Sequence, residues 1–292
     1  MQESLSLWIK GARPRTLPAA IAPVAVGTAC VSVEANATAN WSNAILALIV
    51  SLALQVAVNY ANDYSDGVRG TDDKRVGPLR LVGSGAKTAS AVKRAAFLSF
   101  GVAAIFGLIL ALLTSLWLLV VGVLCILAGW FYTGGKKPYG YFGLGEVFVF
   151  VFFGVVATTG TTFVIVEKLT VTSFTASLVV GALACALLAV NNLRDIDGDT
   201  LARKRTLAVR LGDKNARSFF VSLFVLALLA IFMLALSYPL ALLGLIGLSS
   251  AFASIKRVRS GAVGSELISV LSMTGRTQIL TAITLSIGLI LS

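Results

Sequence analysis

Apolar residues fill this chain in long runs, with neither the strict alternation of a half-buried strand nor the narrow stripe of a surface helix. A helix that crosses a membrane needs about 20 mostly apolar residues. The runs predict nine such helices: Leu17–Val33, Asn43–Ala61, Ala95–Leu113, Leu116–Tyr132, Leu144–Val166, Val171–Asn191, Phe219–Leu236, Leu240–Ala253 and Thr277–Leu291, the last two short. Pro18 and Pro23 sit near the start of the first, where a membrane helix tolerates proline. Before it, Leu5, Leu7, Trp8 and Ile9 followed by Lys10, Arg13 and Arg15 predict a segment lying in the membrane interface, not a cleavable leader. The expectation is an all-α, polytopic membrane protein, a single domain over residues 1–292.

Composition agrees: 57% of the residues are hydrophobic and 13% charged, where a soluble domain carries about 25% charged residues. The charges also orient the chain. If the N-terminus and every second loop share one side, that side holds all of the 24 basic residues except Lys168. The positive-inside rule makes this the cytoplasmic side of the cell membrane. The net charge of +11 is then explained by topology and contact with anionic lipid, and it implies no nucleic-acid partner. Cys30, Cys125 and Cys185 all lie inside apolar runs and offer neither a disulfide framework nor a metal cluster. The chain has no histidine, so any metal must be held by oxygen ligands, as Mg²⁺ is.

Seven of the 13 acidic residues fall in two clusters on that cytoplasmic side. One is the segment Asn62–Asp73, NDYSDGVRGTDD, just after the second run; the other is Asn191–Asp199, NNLRDIDGD, just after the sixth. Asn62 and Asp66 are four apart, as are Asn191, Asp195 and Asp199, a spacing that stacks side chains on one helix face. Gly67 and Gly70 interrupt the first pattern ahead of Asp72 and would let the chain turn a second carboxylate toward the same point. Gathered carboxylates repel one another unless a cation sits among them. Hard oxygens divided between two sites suit Mg²⁺ that is also bound to substrate phosphate, with nearby Arg and Lys neutralising the remaining charge. Taken as polar helix ends alone, either cluster would be unremarkable; two of like pattern on one side favour the metal reading.

The loop after the fourth run, YTGGKKPYGYFGLGEVF, combines turn-forming glycines with the donors Tyr132, Lys136, Lys137, Tyr139 and Tyr141. It fits a lid over a diphosphate as well as it fits a tight turn with lysine and tyrosine at the membrane boundary. Arg194, beside the second cluster, is a candidate diphosphate contact. Arg203, Lys204 and Arg205 form a basic run in which one member, Lys204, is a candidate to reach the phosphate.

These two segments resemble the paired Asp-rich motifs of the UbiA superfamily of intramembrane prenyltransferases. ARPRTLPAAIAPVAVG (Ala12–Gly27), GPLRLVGSG (Gly77–Gly85) and YTGGKKPYGYFGLGEVFVFVFFG resemble its 1,4-dihydroxy-2-naphthoate branch, which serves menaquinone synthesis. The resemblance covers nearly the whole chain. It implies nine helices around a central cavity, Mg²⁺ dependence, a polyprenyl diphosphate donor and an aromatic acceptor. Asn62, Asp66 and Asp72 match the first motif and Asp195 and Asp199 the second, with Asn191 one turn earlier. Five residues separate Asp66 from Asp72, the longer form found in the naphthoate branch, so either Asp72 or Asp73 is the further metal ligand. Substrate contacts are expected from Arg13, Arg15, Tyr132, Lys136, Lys137, Tyr139, Asn191, Arg194 and Lys204. Rival acceptors within the superfamily are 4-hydroxybenzoate, homogentisate and haem. A transporter, the rival from another class, would carry ionisable groups near the middle of its helices, and these runs carry essentially none.

Overall fold

The computed structural model describes residues 2–34, 38–70 and 79–292, with side chains from Leu5 onward. Asp72 and Asp73 therefore lie outside the described residues, as do Lys74 and Arg75.

Among the described residues the regular structure is entirely helical. The segment expected at the membrane interface is helical, α1 (Gln2–Ala12). It leaves Leu5 and Ile9 exposed, while Trp8 packs edge-on against Tyr60 and accepts that tyrosine's hydroxyl on its carbonyl at 2.8 Å. A left-handed Arg13 and the Pro14–Thr16 turn then redirect the chain into α2 (Pro18–Ala29), with a bend of 53° between the two helical stretches. α3 (Ser42–Val68) and α4 (Ala89–Leu113) form the most extensive helix pair. α5 (Leu118–Phe131) packs on both. α6 (Gly145–Val166) is continuous but loosens into a π-helix over Phe150–Val156. α7 (Val171–Arg194) runs through the centre: 83% of its apolar stretch is buried, against 28–39% for the other full-length spans, which fixes it as the axis of the bundle. α6 reaches that axis because Gly154 and Gly181 meet backbone to backbone, where a Cβ on Gly154 would come within 2.5 Å of the Gly181 Cα.

Beyond α7, the short α8 (Ile196–Leu201) leads into α9 (Leu207–Ala235), which is kinked at Gly212. Next come α10 (Pro239–Ser249) and α11 (Ala251–Arg259), bent by 48° at their junction, and finally α12 (Glu266–Ile290). α2, α7 and α9 to α12 share one large dry core containing Val26, Leu183, Phe220, Ile231 and Leu285. On the other side α4 and α5 turn Phe97, Leu98, Ile105, Leu112, Val120 and Val123 outward, an apolar belt suited only to lipid or a partner.

Every predicted run is helical, but the limits differ. The second run continues to Val68, the seventh begins at Leu207 and the ninth at Glu266. Hydropathy registers only the part of a helix that needs an apolar solvent, and the polar turns that project beyond it escape detection. Length and composition alone credit five helices as spans, or seven if each bent pair counts once. α5, with 14 residues, is shorter than a perpendicular crossing requires, and α12 carries Glu266 and Arg276. These criteria therefore stop short of nine.

Candidate active site

Because α3 continues to Val68, Asn62 and Asp66 sit on its last turns, not in a following loop. Asp66 is buried, 4% exposed. Its Oδ1 accepts from the Tyr141 hydroxyl at 2.7 Å and from Lys204 Nζ at 2.9 Å, and its Oδ2 lies 3.8 Å from the Arg80 guanidinium. These partners come from three separate connections. Tyr141 belongs to the 3₁₀ turn Tyr139–Phe142 between α5 and α6, Lys204 to the link from α8 to α9, and Arg80 to the segment ahead of α4.

Each partner is fixed by local structure. Lys204 follows the left-handed Arg203, and its backbone N–H donates to the Asp199 carbonyl at 2.8 Å. The next N–H, of Arg205, donates to the Tyr141 carbonyl at 3.0 Å and ties the two connections together. The same ammonium stands 4.0 Å from Asp199 Oδ1, so Lys204 bridges the two acidic motifs. Arg80 is placed by Asp63, which is fully buried and accepts the Leu81 and Val82 N–H groups at 2.8 and 2.9 Å. Asp63, one residue from Asn62 in the motif, thus organises a loop. The Tyr141 ring carries Lys204 Nζ 4.7 Å and Arg69 Cζ 5.2 Å from its centroid, within the range of cation–π attraction. Arg69 also donates to the Thr133 and Gly135 carbonyls, and the Thr133 hydroxyl donates to Asn62 Oδ1 at 2.8 Å. Burial, and then the charge of Asp66, pushes the Tyr141 phenol above its ordinary value, so it remains a proton donor to the carboxylate.

The second motif breaks where α7 ends. Asp195 caps the helix in a non-helical conformation, and Asp199 lies on α8 with its N–H donating to the Asp195 carbonyl at 2.8 Å. Arg194 grips Asp195 through two bonds of 2.7 Å and donates to Asn191 Oδ1 at 2.8 Å. Its remaining nitrogen, Nη1, is buried with no hydrogen-bond partner among the described residues, a donor held ready for an anion. Behind this turn Asn192 donates to the buried Glu146 at 2.9 Å.

Each motif contributes one amide residue, Asn62 or Asn191, to the wall of a cavity of about 780 Å³ enclosed by α2 to α7 and α12, with its carboxylates set beside that wall. Lys10, Arg13, Arg15, Asn59, Asn62, Arg80, Tyr132, Tyr139 and Asn191 line the mouth. Thr16 draws Gln55 and Asn59 together there, accepting from their amides at 3.0 and 2.9 Å. The rest of the wall is apolar: Val50 and Leu54 of α3, Val121 and Cys125 of α5, and Phe148, Phe152 and Val156 of α6. Tyr139 contributes its ring, stacked on Phe148 with centroids 3.9 Å apart, because its hydroxyl is spent on the Ala128 carbonyl.

The structure thus gathers Arg13, Arg15, Asn62, Asp66, Tyr132, Tyr139, Asn191, Arg194, Asp195, Asp199 and Lys204 at one end of the bundle. Lys136 and Lys137 do not join them; both are exposed and outside the cavity wall. Of the basic run, Lys204 is buried and its neighbours Arg203 and Arg205 are exposed. Sequence reasoning did not select Tyr141, Arg69, Arg80 or Asp63 as site residues. Tyr141 stood among the loop donors, and Arg80 in a segment singled out only by resemblance.

A helical membrane bundle with paired acidic motifs and basic donors over an apolar cavity defines a class of protein. Residues 20–266 match the UbiA prenyltransferase family, and the chain belongs to it. It is 49% identical to the 1,4-dihydroxy-2-naphthoate octaprenyltransferase of Mycobacterium tuberculosis, over 96% of this chain and 95% of that protein. It is 35% identical to the Escherichia coli protein of the same name, over 98% and 95%. Among solved structures, a UbiA homolog from Archaeoglobus fulgidus bound to GPP and Mg²⁺ shares the fold with a TM-score of 0.70 at 13% identity, covering 98% of this chain and 99% of that one.

Proposed function

We propose that this protein transfers a polyprenyl group from polyprenyl diphosphate to 1,4-dihydroxy-2-naphthoate, releasing CO₂ and diphosphate and giving demethylmenaquinol, the reduced form of demethylmenaquinone, for menaquinone biosynthesis. The observation that carries the reading is the junction of two chemistries at one cavity: basic and amide donors in its mouth beside the two acidic motifs, and an apolar channel behind them. The naphthoate acceptor follows from the names of the relatives that match over nearly their full lengths.

The donor types suit Mg²⁺: Asp66, Asp195 and Asp199 are hard carboxylates with no soft or imidazole ligand beside them. Among the described residues no three such groups converge on one point, and Asp72 or Asp73 is a further candidate. When bound, Mg²⁺ would neutralise diphosphate oxygens as charge builds on the leaving group. Lys204 and Arg80, beside Asp66, and the free Nη1 of Arg194, beside Asp195, would hold those oxygens by charge-assisted hydrogen bonds. Arg13 and Arg15 serve the carboxylate of the acceptor or the diphosphate at the mouth. The apolar wall keeps water from the allylic carbon as its bond to oxygen lengthens. The ring carbon bearing the carboxylate supplies the electron pair for the new bond to the prenyl carbon. The pair from the departing carboxylate bond restores aromaticity as CO₂ leaves, so no side-chain nucleophile takes part. The basic residues favour nine spans with the N-terminus and the site on the cytoplasmic side of the cell membrane.

The test is direct. Detergent-purified protein is given Mg²⁺, one prenyl diphosphate and a pool of dihydroxynaphthoate, 4-hydroxybenzoate, homogentisate and haem, and products are read by mass spectrometry. Prenylated, decarboxylated naphthoquinol is expected, with EDTA abolishing it and Mg²⁺ restoring it. Prenylation of another acceptor in preference would overturn the assignment.

A further inference from the structure

The deep part of the cavity is shaped by side chains that are missing. On α5 the cavity wall is Leu118, Val121, Gly122, Cys125, Ala128, Gly129 and Tyr132; on α6 it is Phe148 and Val149, Phe152 and Phe153, Val156 and Ala157, Gly160 and Thr161, then Val164. Both series recur every three to four residues, so each is a single helical stripe facing the cavity. Gly122 and Gly160 lie on those stripes. A Cβ built on either meets no atom within 4 Å. Gly107 of α4 has the same two properties. Gly129, nearer the mouth, is different: its Cβ would press on Val58 and Phe100 at 3.0 Å, so it serves helix packing.

Depth follows from helix geometry. Gly122 is ten residues from Tyr132 and Gly160 twelve from Phe148, which at 1.5 Å per residue puts both about 15–18 Å below the mouth. The α5 and α6 glycines therefore flank the channel well past the reacting end of a donor. Glycine weakens a helix interior relative to other residues, and neither position needs it for a turn or a close approach. What glycine supplies at these two positions is open volume.

Building on the prenyl-transfer reading, we infer that Gly122 and Gly160, with Gly107, set the length of isoprenoid chain this enzyme accepts: they hold open the channel segment that only the distal units of a long donor enter. A two-unit donor ends above this level, and a donor of many units passes through it.

The experiment compares Gly122→Leu and Gly160→Leu with the parent, as full-length protein in detergent with Mg²⁺, using geranyl diphosphate and octaprenyl diphosphate as donors. Gly101→Leu is the control, since it too has empty space at its Cβ but lies outside the cavity wall. Filling the channel should lower kcat/KM for the eight-unit donor by about tenfold or more while leaving the two-unit donor within about twofold, the scale on which an apolar pocket discriminates by size. The control should change neither. Thermal stabilisation by each donor without acceptor should show the same split, so the inference is read even where dihydroxynaphthoate proves to be the wrong acceptor. Equal losses with both donors, or no loss with either, would overturn it.

Discussion

The two acidic motifs solve the same electrostatic problem in opposite ways. Asp195 is neutralised locally: its partner Arg194 is the preceding residue, and Asn191 completes the clamp from one turn earlier. Asp66 is neutralised from a distance, by Lys204 138 residues away and Tyr141 75 residues away, with Arg80 facing its other oxygen. The Arg194 clamp on Asp195 is a property of one helix end. The pairing of Asp66 exists only when three connections have folded over α3. Asp66 therefore reports on the folding of three connections together, whereas the Arg194–Asp195 pair reports on the end of α7.

The strongest way to break the comparison is to neutralise each carboxylate. Asp66→Asn and Asp195→Asn should each lower kcat by on the order of 10²–10³, the cost of losing a preorganised electrostatic group. Their stabilities should diverge. Asp66→Asn leaves the buried Lys204 ammonium poorly paired, and breaking a buried ion pair costs about 3–5 kcal/mol at full burial. Asp195→Asn keeps Arg194 on Asn191 and an amide oxygen. Thermal melts in detergent should therefore show a clear fall for the first variant and a small one for the second; equal melts would erase the distinction.

Next in size are the donors. Lys204→Gln and Arg194→Gln should each cost about 2 kcal/mol or more in transition-state stabilisation, seen as lower kcat and kcat/KM in steady-state kinetics. Arg203→Gln and Arg205→Gln, exposed on either side of Lys204, serve as internal controls and should stay near the parent. Tyr141→Phe removes one hydrogen bond to a charged acceptor while retaining the ring beneath Lys204 and Arg69. A stability loss of about 1.5–3 kcal/mol is expected, with a smaller kinetic effect than Lys204→Gln. The smallest change belongs to Lys136→Gln, Lys137→Gln and Lys256→Gln, all exposed. Each should stay within about 0.5 kcal/mol of the parent, and a large kinetic loss at Lys136 or Lys137 would restore the lid to the mechanism.

What could be read from the sequence follows the same divide. The apolar runs disclosed the helices because lipid imposes a one-dimensional rule on each. In the second motif the clamp of Arg194 on Asp195 and Asn191 was legible because it spans three residues or fewer. The choice of Lys204 over Arg203 and Arg205 was not, since it depends on a left-handed residue and on a hydrogen bond from Arg205 to Tyr141. Asp63 shows that composition alone does not assign a role: it lies within the acidic cluster, yet its carboxylate is consumed by the Leu81 and Val82 N–H groups. The helix ends at Val68 and Leu207 were missed because the polar turns beyond the apolar runs leave no hydropathy signal.

The contact of Gly154 with Gly181 makes α6 a mechanical lever. Its inner face rests on the axial helix without even a methyl group between the backbones, and its other face carries the aromatic wall of the channel. A closely packed interior transmits displacement. A single added carbon at Gly154 would be felt less as lost cohesion at that contact than as Phe148 and Phe152 carried into the space the substrate needs. The bore of the channel is thus set from behind, at a point no ligand touches.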